Sequence, residues 1–155
     1  MRIRFDTKTI HVPRNWKCLE YPAISLGLTT PNSSIIHREV LIDTGASCST
    51  VPLSLARHLA LDLDSLQTTT FMSVSGQRLT GYIAKVTMSI RSPDNSRSGW
   101  DWEEELILAD IRSSLFGVLG HGAFLEYFKF ELDAEEESFF LEDNSRFPGE
   151  VLTYL

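Results

Sequence analysis

The chain has 155 residues, of which 43% are hydrophobic and 23% charged, a composition suited to one globular domain with a substantial core. With 14 basic and 21 acidic residues its net charge is −7, which disfavours nucleic-acid binding because phosphates bind to positive surfaces. No apolar run approaches the ~20 residues of a membrane span, the N-terminus lacks a secretory signal, and the two cysteines suit a reducing compartment, so we expect a cytoplasmic protein.

Short β-like segments dominate the first part of the chain. Residues 1–20 are a candidate N-terminal arm or an edge strand. Residues 21–28 alternate between apolar and polar and run into a turn, which predicts a strand. Residues 39–43 have the apolar centre of a buried strand. At 52–61, leucines and alanines at three- and four-residue spacing predict a short helix.

The second part of the chain continues this pattern. Residues 82–90 and 100–108 alternate on either side of a polar loop, which predicts a long hairpin. Trp100 and Trp102 share one face of its second strand, where we expect them to pack in the core or at a dimer interface, with substrate contact as a further alternative. Residues 122–127 favour a second short helix, and another hairpin follows it. The closing residues 151–155 are apolar for a free end, so we predict an interface strand within residues 148–155. Residues 1–155 therefore form one mainly β domain.

The segment that carries chemistry is Val-Leu-Ile-Asp-Thr-Gly-Ala at residues 40–46. A buried strand that ends in Asp43 on a glycine turn presents the carboxylate at a fixed point. Gly45 allows a sharp turn and leaves its N–H free to approach that carboxylate. An ordinary strand-end turn is the alternative interpretation, since Asp, Thr and Gly all favour turns.

The segment Asp43-Thr44-Gly45-Ala46 resembles the catalytic loop of the retropepsin-like aspartic proteases. A second segment, Val118-Leu119-Gly120, is similar to the aliphatic-aliphatic-Gly element that packs beside this loop in the family. The resemblance covers residues from about 21 to about 132. It implies the closed β-barrel of the acid protease fold with one or two short helices. It also implies an endopeptidase that uses no metal and no organic cofactor.

The motif occurs once in the chain. Peptide hydrolysis by this route needs one ionised and one protonated carboxyl, and two carboxyls about 3 Å apart share a proton. A single Asp43 cannot supply both, so we predict a homodimer with one active site on its twofold axis and a peptide or protein as substrate. The resemblance implies that Thr44 bonds across this axis and that Gly45 offers its backbone to the carboxylates and the substrate.

The resemblance also implies a flap that closes over the substrate. We place it in a candidate hairpin at residues 73–81, with Ser75, Gly76, Gln77 and Gly81 as its candidate residues and the two glycines as sources of flexibility. Pepsin-like relatives often carry Ser or Thr at the position of Ala46, where the hydroxyl donates to the charged carboxylate. Alanine cannot donate, so we expect a pH optimum less acidic than that of a digestive pepsin.

Two other functional interpretations are open. A non-catalytic dimeric module could keep the fold to bind peptides or partners. In its favour, His121-Gly122-Ala123 follows Gly120 where the family often has an Asp or Asn, which puts the bonds that brace the catalytic loop in question. A cysteine hydrolase would pair Cys48 with His58 or His121, but the spacing supplies neither a base nor a positive environment.

Overall fold

The structure, a computed structural model, describes residues 1–10, 19–73, 76–111 and 117–153. Its strands, in chain order, are β1 (Arg2–Asp6), β2 (Lys8–Ile10), β3 (Leu19–Tyr21), β4 (Ala23–Thr29), β5 (Ile35–Ile42), β6 (Thr50–Pro52), β7 (Gln67–Met72), β8 (Arg78–Arg91), β9 (Gly99–Ala109), β10 (Gly117–Leu119), β11 (Phe128–Asp133), β12 (Ser138–Asp143) and β13 (Glu150–Leu152). Three short helical turns lie between them, at Leu53–Leu55, Leu63–Ser65 and His121–Leu125.

Six of these strands close into a barrel. The order around it is β9, β6, β10, β5, β4 and β8, and β8 pairs again with β9 to complete the circle. β7 pairs with β8 outside the barrel, and β13 pairs with one end of β9. Closure leaves the barrel strands paired on both sides, which removes exposed sheet edges. The mainly β, closed-barrel fold predicted from the sequence is confirmed.

The long hairpin predicted from alternation forms the longest ladder in the structure. β8 and β9 pair antiparallel from Gly81 opposite Ala109 to Arg91 opposite Gly99. Trp100 and Trp102 point into the core with 0% and 2% of their surface exposed, which is the first of the alternatives given for them. The ring of Phe128 meets both indoles edge-on, at centroid distances of 5.0 and 5.7 Å. Such aromatic contacts join the barrel to the strands that follow it.

A separate three-stranded sheet, in the order β1-β12-β11, carries the predicted second hairpin. Ile3 and Phe5 face the core, and Phe5 stacks on Phe139 at 5.3 Å. Residues 2–6 are thus an edge strand of this sheet, one of the two roles predicted for the N-terminal segment. A regulatory role for that segment stays a prediction, and residues 11–18 lie outside the described part.

The last described strand lies against its own barrel. In β13, Val151 pairs with Trp100 of the same chain, and 40% of the Val151 surface is exposed. The predicted contact of residues 148–155 with a second subunit stays a prediction, and residues 154–155 lie outside the described ranges.

The helix predicted at residues 52–61 is shorter than its pattern suggested. Pro52 ends β6, the helical turn covers Leu53–Leu55, and hydrogen-bonded turns continue to residue 60. Leu55, Ala56 and Leu59 are buried, so the apolar spacing serves packing on the barrel. Ala60, with a φ of 51°, then reverses the chain and prevents a longer helix.

The second predicted helix, at 122–127, is His121–Leu125 in the structure, and its backbone departs from helical angles at Gly122 and Ala123. Just after it, the Tyr127 hydroxyl donates a hydrogen bond to Glu104 of β9 at 2.5 Å. That hydrogen bond, together with burial and the negative charges of Glu104 and Glu126, raises the pKa of Tyr127 to about 12.

The raised pKa of Tyr127 predicts a late phenolate transition. Because the folded value lies above the ordinary 10.0, this tyrosine contributes stability that is present below about pH 10 and is lost as pH rises through about 12. The ultraviolet absorbance of phenolate, titrated in wild type and in Tyr127→Phe, should differ by a step near pH 12. A difference step near pH 10 would contradict the contact with Glu104.

Candidate active site

Asp43 lies directly after β5, the central strand of this part of the barrel. Val40 and Ile42 are buried, and β4 and β10 pair with β5 on either side. The backbone N–H of Asp43 continues the β10 pairing, since it donates to the carbonyl of Leu119 at 3.0 Å. A strand held on both sides therefore presents Asp43 at a fixed point, as the sequence predicts.

The turn at Asp43 has the geometry that its residue types favour. The Gly45 N–H donates to the Asp43 Oδ1 at 2.8 Å, and the Ala46 N–H donates to the Asp43 carbonyl at 3.1 Å. Asp43, Thr44 and Gly45 are all exposed. A hydrogen bond to a charged carboxylate is stronger than one between neutral groups. The turn thus orients the carboxylate and leaves it open to solvent or to another molecule.

The two sequence segments singled out above meet in the structure. Val118 pairs in parallel with Leu41, Leu119 pairs with Ile42, and Gly120 follows beside the turn. A Cβ atom on Gly120 would lie 2.5 Å from the Cys48 carbonyl oxygen, so only glycine fits there. The Val118-Leu119-Gly120 element therefore packs against the loop that begins at Asp43.

The loop is braced by the backbone that follows Gly120. The His121 N–H donates to the Ala46 carbonyl at 2.8 Å, and the Gly122 N–H donates to the Ser47 carbonyl at 3.0 Å. These bonds need no acidic side chain, which answers the doubt raised by the missing Asp or Asn. The side chain of His121 is exposed at the start of a helical turn, so it takes no place in the brace.

Sequence reasoning missed Ser49. Its residue surface is only 2% exposed, and its hydroxyl accepts from the Gly120 N–H at 3.0 Å while it donates to the Gly122 carbonyl at 2.7 Å. The one signal in the sequence is a hydroxyl residue just before β6, which begins at Thr50. That signal is weak, because the partners of Ser49 lie far along the chain.

The candidate flap is a hairpin in the structure. β7 and β8 pair up to Met72 opposite Arg78, and the Gly76 N–H donates to the Ser73 carbonyl within the connecting turn. Gly76, at a φ of 77°, and Gln77 lie in this turn, whereas Ser75 is outside the described residues. Closure of the hairpin over a substrate stays a prediction.

The role assigned to Gly81 needs correction. It lies inside β8, opposite Thr69 on one side and Ala109 on the other, and not in the turn. A Cβ atom there would lie 2.3 Å from the Ile107 Cγ2. Gly81 is therefore a packing residue that lets three strands approach closely, and its pairing on both sides leaves no room for a hinge.

The geometry gives little support to a cysteine hydrolase, the other catalytic chemistry considered from the sequence. Cys48 is half-buried with the Thr50 hydroxyl 3.9 Å from its sulfur, and a hydroxyl is not a base that could activate a thiol. His58 and His121 have exposed side chains. Within the described ranges, no three His, Cys, Asp or Glu side chains are grouped to hold a metal ion, and no helix is long and apolar enough to cross a membrane.

Comparisons with known proteins agree with this arrangement. Residues 34–97, which include Asp43, match the family model for aspartyl proteases. The fold is similar to that of a retropepsin-like aspartic protease from Rickettsia conorii, at 19% identity over 91% of this chain and 98% of that chain, with a TM-score of 0.54. The family match lies on the segment that holds Asp43, and the likeness to the Rickettsia structure shows a retropepsin-like fold.

A second solved structure is similar to a lesser degree. It is the EIAV protease in complex with the inhibitor HBY-793, at 18% identity over 72% of this chain and 88% of that chain, with a TM-score of 0.43. No curated protein sequence matches the chain. The resemblance and the fold class predicted from the sequence are confirmed by the family model and the Rickettsia structure.

The close approach at Gly120 predicts an unequal pair of glycine substitutions. In Gly120→Ala the new methyl would lie 2.5 Å from the Cys48 carbonyl and 2.7 Å from the Ala46 carbonyl. We expect the free energy of unfolding to fall by about 1–3 kcal/mol or more. Gly122→Ala is the matched control, because its methyl would meet only the Ser47 carbonyl at 3.3 Å and the Cys48 Cα at 4.0 Å. Denaturant unfolding that gave equal losses for both variants would contradict this account of the brace.

Proposed function

We propose that the protein is an aspartic endopeptidase that hydrolyses peptide bonds as a homodimer, with Asp43 from each chain in one shared active site. The observation that carries the proposal is the exposed Asp43 carboxylate, oriented by the Gly45 N–H at 2.8 Å directly after the buried residues Val40 and Ile42 of β5. The match of residues 34–97 to aspartyl proteases supports it.

The chemistry explains why a dimer is required. One Asp43, ionised, takes a proton from water as the water oxygen attacks the peptide carbonyl carbon. The other Asp43, protonated, gives its proton to the carbonyl oxygen, which produces a neutral tetrahedral diol. Proton transfer to the peptide nitrogen then breaks the C–N bond and releases an acid and an amine. Each chain supplies only one such group.

The surface around Asp43 is suited to meeting a second copy. Asp43, Thr44 and Gly45 are exposed, although the strand before them ends in the core with Val40 and Ile42. In the proposed dimer, the twofold axis passes between the two turns, so that Thr44 of each chain reaches the other. The hairpin of β7 and β8 is the element we assign to cover a peptide, which would pair with it as an added strand.

A shared active site predicts a dominant effect of an inactive chain. Asp43→Asn alone should abolish hydrolysis and still fold and dimerise, because the exposed side chain carries no packing. Added in equal amount to wild type and allowed to exchange, it should roughly halve the activity, since half of the wild-type chains enter mixed dimers. A ninefold excess should leave about a tenth.

The control for this mixing experiment is Asp94→Asn, which changes an exposed carboxylate in the loop between β8 and β9. When this variant is mixed with wild type, the total activity should rise in proportion to the amount of variant added. If the activity of wild type does not change when Asp43→Asn is added, the subunits act independently and the shared site is contradicted. No activity in wild type would favour a peptide-binding module, and loss of activity on thiol alkylation would favour a cysteine enzyme.

Ala46 predicts a second change in activity. A serine there could donate a hydrogen bond to the ionised carboxylate and favour that form, so Ala46→Ser should move the pH optimum of kcat/KM toward lower pH. Ser47→Ala, one position further along the loop, should leave the optimum in place. A wild-type optimum at strongly acidic pH, or no shift in Ala46→Ser, would contradict the role given to this alanine.

A further inference from the structure

We infer that Ser49 is a positioning residue for Asp43, because its hydroxyl fixes the backbone segment that holds the catalytic loop. The inference rests on the proposed function. Ser49 touches neither the surface nor a substrate, since its residue surface is 2% exposed. Its effect on the reaction must therefore pass through the groups to which it is bonded.

The path from Ser49 to Asp43 consists of short hydrogen bonds. The Ser49 hydroxyl bonds to both Gly120 and Gly122, at 3.0 and 2.7 Å. The segment from Leu119 to Gly122 in turn meets the loop at three places, the Asp43 N–H and the carbonyls of Ala46 and Ser47. Displacing this segment would move the turn that orients the Asp43 carboxylate.

Ser49 is itself anchored to the barrel. Its backbone carbonyl accepts from the Ile107 N–H of β9 at 3.1 Å, and the next residue, Thr50, begins β6. The side chain of Ser49 therefore connects a rigid strand to a stretch in which Gly120 and Gly122 have no side chains of their own. One hydroxyl can serve both glycines because it donates one hydrogen bond and accepts another.

Ser138 offers a matched control at similar burial. Its residue surface is 1% exposed, and its hydroxyl has no hydrogen-bond partner in the part of the chain that the structure describes. It lies at the start of β12, in the other sheet. Ser49→Ala and Ser138→Ala thus remove the same atom from equally buried sites, but only the first removes hydrogen bonds.

The first test separates kcat from KM, measured at concentrations where the wild-type protein is fully dimeric. A small misplacement of reacting groups can cost up to about a hundredfold in rate, so we expect kcat of Ser49→Ala to fall by about tenfold to a hundredfold. We expect KM to stay within about twofold, since Ser49 makes no substrate contact. Ser138→Ala should match wild type, and Ser49→Thr, which keeps the hydroxyl, should regain most of kcat.

The second test is the width of the pH–activity profile. Two carboxyls held close together share one proton over a wide range of pH, and this range narrows as they move apart. The bell-shaped profile of Ser49→Ala should therefore be narrower than that of wild type, whereas Ser138→Ala should keep the wild-type width. The widths are compared only over the pH range in which both variants stay folded and dimeric, because unfolding at extreme pH would also narrow the profile.

The results that would overturn the inference are specific. A folded Ser49→Ala with kcat and profile width equal to wild type would overturn it, as would a Ser49→Thr variant as impaired as Ser49→Ala.

Hydrogen exchange of the Gly45 and Ala46 amides is a measurement that does not depend on activity. It should quicken in Ser49→Ala and not in Ser138→Ala, so this inference can be judged even if the wild-type protein cleaves no peptide and the proposed function fails. If Ser49→Ala does not fold, Ser49→Cys replaces it in every comparison.

Discussion

The hydrogen bond from the Asp43 N–H to the Leu119 carbonyl is the constraint on which the candidate active site depends. It extends the pairing of β5 and β10 by one residue, to the point where β5 leaves the barrel. Functional residues commonly lie on loops, whose backbone groups must find partners outside regular ladders. Here, those partners are the carbonyl of Leu119, the last residue of β10, and the N–H groups of His121 and Gly122 just after it.

The site is therefore built mostly from backbone contacts, which explains its residue types. Backbone segments can approach this closely only where a side chain is missing, and Gly120 meets that need against the carbonyls of Ala46 and Cys48. A brace of this kind places few demands on neighbouring side chains. For that reason, His121 and Gly122 can follow Gly120 in this chain without loss of the hydrogen bonds to Ala46 and Ser47.

Local patterns were sufficient to predict the parts of the structure that depend on local order. Alternation at 82–90 and 100–108 predicted β8 and β9, and the residue types at Asp43 and Gly45 predicted the turn. Tertiary contacts decided the rest. In residues 52–61, Leu55 and Leu59 are spaced as in a helix because both are buried against the barrel, although the segment consists mainly of turns. Gly81 looks the same in sequence whether it serves a hinge or a packed strand, and only the pairing of three strands distinguishes the two.

In the proposed dimer, each subunit brings a half-site that is already formed. The bond from the Gly45 N–H to the Asp43 carboxylate and the brace from Gly120 to Gly122 lie within one chain, so orientation of the carboxylate does not wait for a partner. Association would then supply what one chain lacks, a second carboxyl with which to share a proton. Association would bring together two loops that are already ordered, so it would not have to supply the free energy of ordering them. Activity would then depend on protein concentration only through the equilibrium between monomer and dimer.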